Sequence, residues 1–230
     1  MRNQRPAVEL CSVNAHYEQS HALDDVSLSV DAGSVTAVIG PNGSGKSTMF
    51  ALISGRMQPT SGTVELDGEV ADVMQATSVD PQLSLTVEDV VRMGRYRSRG
   101  LLGRMRAEDR RACHEALERV DLLELRHRPI NELSGGQRQR ALVAQGIVQQ
   151  ASVLLLDEPA SGLDVSSQTS ILEVIRDEAE NGRAVMFSTH QLTDTDSADT
   201  VIALNRRCVC CSPTEAALNN PNVLALFERR

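Results

Sequence analysis

Hydrophobic positions along this chain change their period several times, and each change marks an element. Val26, Leu28 and Val30 alternate with polar neighbours, the period of a strand over residues 23–30, and residues 7–13 read as another strand. Asp31-Ala-Gly33 is a turn. Val35, Ala37, Val38 and Ile39 form an almost unbroken apolar run, a buried strand over 34–39. A helix is predicted from Lys46 to about Ser54, then a turn at Pro59-Thr-Ser-Gly62 and a short strand over 63–66. From 87 to 125 the spacing is helical: Val87, Val90, Val91 and Gly94 share one face, as do Cys113, Ala116, Leu117 and Val120. A helix over 137–149, a strand over 152–156, a helix over 166–180 and a strand over 184–188 follow. A β-rich stretch over 200–211 and a short helix near 222–228 end the chain. No internal repeat or low-complexity linker interrupts this order. The pattern predicts an α/β core broken by a helical insertion.

Composition narrows the class. A length of 230 residues suits one domain or a domain carrying an insertion. At 41 % hydrophobic and 23 % charged residues, the chain is too apolar for disorder. Tyr17, Phe50, Tyr96, Phe187 and Phe227 are its only aromatics, so the core must be aliphatic. No apolar run approaches the roughly 20 residues that span a bilayer. The first residues lack the apolar segment of a signal peptide, so a cytosolic location is expected. A net charge of −8 argues against a general affinity for nucleic acid. Five cysteines, an odd number, argue against a disulfide framework.

One basic residue stands apart. Of 23 basic residues 22 are arginine, and the single lysine, Lys46, falls within Gly40-Pro-Asn-Gly-Ser-Gly-Lys-Ser47. The pattern G-x-x-x-x-G-K-[ST], following a buried strand and opening a helix, is a phosphate-binding loop. Its glycines let backbone N–H groups converge on phosphate at a helix N-terminus whose dipole favours anions. Lys46 is expected to reach the β- and γ-phosphates, and Ser47 to ligate Mg²⁺. Val153-Leu-Leu-Leu-Asp157 is an apolar strand ending in a carboxylate, which would join the magnesium shell, and Glu158 is placed to activate water. Leu133-Ser-Gly-Gly-Gln137 reads as a second anion-binding helix start, with Ser134 as its cap.

At this point the chain resembles the ATPase subunits of ABC transporters, whose signature sequence is LSGGQ, and the resemblance spans nearly its whole length. It implies a P-loop NTPase fold: a RecA-like core with an N-terminal antiparallel β subdomain and an inserted α-helical signature subdomain. Residues 1–230 would form a single domain with the insertion at about 86–150. Residues 40–47 match Walker A, Asp157 and Glu158 match Walker B and the catalytic glutamate, Ser161-Gly-Leu-Asp164 matches the D-loop, and His190 the switch histidine. Ala160 stands where threonine is frequent. Tyr17, 29 residues before Lys46, falls where the family stacks an aromatic on adenine. Both Gln75 and Gln82 could be the Q-loop glutamine; Val73-Met-Gln75 stands before Thr86-Val87 as V-P-Q does in metal-type importers, so the assignment falls on Gln75.

The catalytic residues implied are thus Glu158, His190 and Lys46. The nucleotide-binding set is Tyr17, Gly40, Pro41, Asn42, Gly43, Ser44, Gly45, Lys46, Ser47, Thr48 and Gln75, with Ser134, Gly135, Gly136, Gln137 and Asp164 completing it. Ser47, Gln75 and Asp157 would hold Mg²⁺. The resemblance implies ATP as glue between two copies, each LSGGQ closing on the other's Walker A. It also implies separate membrane permease subunits, an extracytoplasmic substrate-binding protein, and a place on the cytoplasmic face of the membrane.

The segment from Thr86 to Tyr96 and the helix after LSGGQ look like zinc, manganese and iron-type importers, nearest the actinobacterial zinc type. Another cargo (iron chelate, haem or peptide) is the alternative, and a non-transport ABC ATPase a more distant one. Three features stay open on the residues alone. Cys208-Val-Cys-Cys211 invites a metal reading but lacks a partner pair, and it aligns with a terminal β-hairpin of the family where small side chains pack. Eight arginines between Arg92 and Arg111 are either a solvated helical face or a surface toward the permease or anionic headgroups. His16, His21, His114 and His127 are most simply surface residues.

Overall fold

Two sheets of opposite character take up the strand-forming runs. The computed structural model describes residues 5–17, 20–73, 85–99 and 105–228. The first sheet is antiparallel, with β1 (Val8–Tyr17), β2 (Ser20–Val30) and β4 (Ser61–Leu66) in the order β2-β1-β4. The second has six strands: β3 (Val35–Ile39), β5 (Val70–Val73), β6 (Val153–Leu156), β7 (Ala184–Thr189), β8 (Thr200–Asn205) and β9 (Arg207–Pro213). Their order is β5-β6-β7-β3-β8-β9, parallel throughout except for β9, which returns antiparallel to β8.

The period of two along these strands divides the core. Val35, Ala37, Ile39, Leu154, Leu156, Val185 and Phe187 face one hydrophobic cluster, whereas Val38, Val153, Leu155, Ala184 and Met186 face another. Both faces are covered, which is why β3, β6 and β7 are buried at every position and read as mostly apolar runs. One cluster packs the sheet against α2 (Val87–Arg99), α3 (Ala107–Arg119), α4 (Gly135–Ile147) and α5 (Val165–Glu180). The other packs it against α1 (Lys46–Ile53) and the antiparallel sheet. Each fully buried Leu or Phe here stabilises the fold by about 1.5–3 kcal/mol.

The antiparallel strands run past the limits their patterning predicts. Register shifts between Leu10 and Val13, and again on either side of Ala15, break the alternation that would have revealed residues 14–17 and 20–22 as strand. Ser12 sits at φ 46° in that bulge, and its carbonyl fills the space opposite Gly62: a Cβ there would lie 2.3 Å from the Ser12 oxygen. Gly62, expected in a turn, is therefore a strand residue whose lack of a side chain admits the bulge. Strand β5 and the short helix α6 (Thr214–Leu218) were not signalled by periodicity; four or five residues are too few to show one. The last helix, α7 (Pro221–Glu228), agrees with expectation.

Within the helical part, Thr86 opens α2 by exchanging hydrogen bonds with Asp89, hydroxyl to carboxylate at 2.6 Å and amide to hydroxyl at 3.2 Å. Gly94 lets α2 lie on α4, since a Cβ there would meet the Gln145 carbonyl at 2.3 Å. Arg95, from the basic segment, is buried. It binds Asp109 through Nε at 2.9 Å and donates to the Val148 carbonyl at 2.8 Å, joining α2, α3 and the end of α4. Arg92 pairs with Glu88, Arg106 with Glu108 and Arg111 with Glu115. Among the described arginines of this segment, Arg92, Arg95, Arg106 and Arg111 are thus paired with acids of the same helical part. Among the described residues no helix is long and apolar enough to cross a membrane.

Candidate functional site

Strand β3 delivers the chain into the loop at Gly40, and three glycines turn it onto α1. Gly40, Gly43 and Gly45 have φ of 153°, 77° and 107°, values that glycine adopts without strain. The loop is wedged between two distant segments. A Cβ on Gly45 would meet Leu23 Cδ2 of β2 at 2.5 Å, and one on Gly40 would meet the Leu204 carbonyl of β8 at 2.3 Å. The Ser44 carbonyl accepts from the Arg206 amide at 2.7 Å. The result is a helix N-terminus with its amides turned toward a cleft of about 390 Å³, lined by Asn42, Gly43, Ser44, Gly45, Lys46, Ser47, Thr48 and Glu158, with His21, Ala22 and Arg206 beside them.

Lys46 is only 7 % exposed and donates to the carbonyls of Gly40 at 2.8 Å and Pro41 at 3.3 Å. Burial holds its ammonium below the ordinary lysine value, with the carboxylates of Glu158 and Asp157 pulling back toward the charged form. The Ser47 hydroxyl donates to Asp157 Oδ2 at 3.1 Å. The other Asp157 oxygen, Oδ1, accepts from the Ser188 hydroxyl at 2.5 Å, and the same Ser188 oxygen accepts the Glu158 amide at 2.9 Å. Ser188 is fully buried on β7 beside β6, so one hydroxyl ties together the two acids that end β6. Sequence reading passed over it; its signal was a polar residue closing an otherwise apolar strand.

Glu158 sits at φ 48°, a left-handed conformation that side chains other than glycine adopt at a cost of about 1–2 kcal/mol. Its Oε1 lies 3.6 Å from His190 Nδ1, and both line a second cleft with Gly40, Pro41 and Asn42. Leu226 and Phe227 of α7 border that cleft. His21, expected simply at the surface, is exposed yet lines the first cleft and packs edge-on against His16 with ring centroids 4.1 Å apart.

The remaining expected residues fall elsewhere. Ser134 caps α4: its hydroxyl accepts the Gln137 amide at 3.2 Å, while Gln137 Oε1 accepts the Ser134 amide at 3.0 Å. Neither cleft includes Ser134, Gly135, Gly136 or Gln137. The two glycines differ. A Cβ on Gly136 would press on Ser167 Oγ at 2.7 Å, whereas one on Gly135 would meet nothing within 4 Å. Asp164 caps α5, accepting from the Ser166 hydroxyl at 2.6 Å and from the Ser167 amide and hydroxyl at 3.0 and 2.9 Å. These bonds hold its carboxyl well below the usual carboxylate range. Its charge shapes the helix start in its own chain. Tyr17 ends β1, its backbone paired with Ser20; its side chain, like Gln75 and Gln82, lies outside the described residues.

Cys208 and Cys210 of β9 pack against the hydrophobic clusters, while Cys211 is exposed. Burial, with smaller contributions from Cys211 and Cys210, pushes the Cys208 thiol up to about 11. A thiol that stays protonated is a poor metal ligand. Among the described residues no three His, Cys, Asp or Glu side chains converge as a metal site.

A buried lysine, two acids at a strand end and a histidine beside an amide-rich loop can bind a polyphosphate and activate water against it. Known proteins agree. The family description "ABC transporter" matches residues 23–161. The manganese transport system ATP-binding protein MntA of Synechocystis is 38 % identical over 90 % of this chain and 84 % of its own length. The chelated iron transport system membrane protein YfeB of Yersinia pestis is 37 % identical over 97 % of this chain and 79 % of its own. A solved metal-chelate type ABC transporter, in an inward-facing conformation, superposes with a TM-score of 0.89 at 30 % identity, covering 97 % of this chain and 89 % of that one. The two sheets, the loop and the acids at the end of β6 are those of an ATP-hydrolysing cassette, and the chain belongs to the ABC transporter family.

Proposed function

We propose that this chain hydrolyses ATP as a homodimer to drive import of a transition-metal ion, manganese or zinc, through separate membrane permease subunits. It works on the cytoplasmic face, with an extracytoplasmic binding protein presenting the ion from outside. The cargo rests on one observation: the chain aligns over most of its length with components of manganese, zinc and chelated-iron transport systems. Eight-tenths or so of each relative is covered, so the likeness is not confined to the nucleotide motifs.

In this reading ATP lies along the loop with its phosphates on the amides of Gly43 to Thr48 and the Lys46 ammonium between the β- and γ-phosphates. Glu158 takes a proton from the attacking water as the γ-phosphate leaves as inorganic phosphate, and ADP remains. His190 holds the γ-phosphate side of the site and orients Glu158. Tyr17 stacks on adenine. Ser47 and Asp157 offer hard oxygen donors 3.1 Å apart, the donor type Mg²⁺ takes, and Gln75 would add a third. When bound there, Mg²⁺ neutralises phosphate charge.

The exposed start of α4 supports the dimer. Gly135 leaves open space at a capped helix N-terminus, where a second copy's γ-phosphate can approach the amides of Ser134, Gly135 and Gly136. Gln137 holds the cap, and Asp164 sets the loop that lies between the two sites.

Manganese and zinc content, measured in cells lacking this chain and in cells restored with native or Glu158→Gln protein, tests the cargo. Loss of one metal, restored only by the native chain, is expected. Unchanged content of both metals in the deletion strain would overturn the metal assignment and leave the ATPase untouched.

A further inference from the structure

Arg206 occupies an unusual place. It forms the turn between β8 and β9 at φ 64°, a left-handed backbone that glycine or asparagine takes more easily than arginine. Both of its backbone groups are committed. The amide donates to Ser44 inside the phosphate loop at 2.7 Å, and the carbonyl accepts the Asp24 amide of β2 at 2.8 Å. Any residue could make those two bonds, so they explain the turn and not the side chain. That side chain is exposed and, among the described residues, makes no ion pair and no hydrogen bond, although the residue lines the cleft with Lys46, Ser47 and Thr48. Arg207 offers the contrast: it pairs with Asp24 through Nε at 2.7 Å and is accounted for.

We propose that Arg206 is a second cation of the nucleotide site, placing its guanidinium on the phosphates from the β8–β9 turn. The inference rests on the reading of this cleft as the ATP site. Among the described residues Lys46 is the other Lys or Arg lining it, and its ammonium already spends two donors on the Gly40 and Pro41 carbonyls. A polyphosphate presents more charge and more acceptor oxygens than one partly committed ammonium can satisfy. A guanidinium offers a planar fork of donors matched to phosphate oxygens. The strained backbone at Arg206 is then a cost offset by the ligand, as at other sites where an unfavourable φ is retained.

The test is competition by ATP, ADP and adenosine against a fluorescent ADP analogue, with Arg206→Gly, Arg206→Lys and Lys46→Ala beside the native chain. Glycine relieves the left-handed strain and keeps the amide bond to Ser44, so Arg206→Gly should melt at the native temperature or above. It should nevertheless bind ATP and ADP about fivefold more weakly, the upper end for an ion pair at an exposed position, with adenosine unchanged. Arg206→Lys, which keeps the charge without the fork, should bind between the native chain and Arg206→Gly. Native affinity for ATP in Arg206→Gly would overturn the proposal. So would equal weakening of adenosine, or a fall in melting temperature alongside the affinity, because either marks a role in the fold or at the base. If Lys46→Ala also bound ATP normally, the nucleotide reading itself would be what failed.

Discussion

Removing one oxygen, by Ser188→Ala, should damage both the stability and the chemistry of this ATPase. The hydroxyl is fully buried, donates to Asp157 Oδ1 at 2.5 Å and accepts the Glu158 amide at 2.9 Å. Alanine takes one donor from the Asp157 carboxylate, which keeps Ser47, and one acceptor from the Glu158 amide. A hydrogen bond to a charged group is worth about 1.5–3 kcal/mol, and a neutral one such as that from the amide about 0.5–1.5 kcal/mol. The two losses share one atom and do not add fully, so about 2–4 kcal/mol is expected. For a chain of this length that lowers the melting temperature by roughly 5–15 °C. Glu158 also loses the bond that anchors its left-handed backbone, so its carboxylate drifts from the water it must activate. Turnover at saturating Mg-ATP should fall about tenfold or more, with a smaller change in KM. Thermal unfolding without nucleotide and steady-state phosphate release measure the two effects separately. A variant that melts within about 1 °C of the native chain and turns over at the native rate refutes the reasoning.

Other outcomes follow from the same geometry. Gly136→Ala should destabilise the isolated protein by about 1–3 kcal/mol, because its Cβ meets Ser167 at 2.7 Å, whereas Gly135→Ala should melt normally and lose ATPase activity. If both variants melted alike, the distinction between a packed and an open glycine would be wrong. Lys46, the only lysine, should react with amine reagents at a lower pH than an ordinary lysine, since burial holds its pKa down, and Mg-ATP should protect it; mass spectrometry reads both. Cys208 prefers its neutral form when folded, so the stability it contributes is complete below the ordinary thiol value of 9.0 and is lost as pH rises toward about 11. Iodoacetamide at pH 8 should therefore modify exposed Cys11 and spare Cys208, and Cys208→Ser should flatten the alkaline decline in melting temperature.

The nucleotide loop was legible because its chemistry demands particular residues in a row: glycines where φ turns positive, a lysine, and a hydroxyl at a helix start. The same holds for the capped start of α4 and for the acids closing β6. Those features are local, and local spacing survives in a linear chain. Arg206, His21 and Ser188 were not legible in that way. Arg206 and His21 reach the cleft, and Ser188 the acids beside it, from strands or turns far away in the chain, and only the parallel order β6-β7-β3-β8 and the packing of β2 bring them in. The antiparallel strands were read too short for a different reason, since the bulge at Ser12 reverses which residues face inward. Asp164 was recognised by its motif, yet its task in its own chain, capping α5, follows from three hydrogen bonds that a motif does not display.

The wedge that holds the phosphate loop has a kinetic consequence. Leu23 on one side and the β8–β9 turn on the other fix Gly40 and Gly45 before any nucleotide arrives. Ordering a backbone residue costs about 1–2 kcal/mol, and here folding has already met that cost for the loop. Nucleotide should therefore enter a finished cradle at a rate set by encounter rather than by loop rearrangement, and changes in affinity should appear chiefly in how long it stays. For an ATPase that must release ADP in every cycle, residence time on the loop is then governed by the contacts of the cradle rather than by its rearrangement.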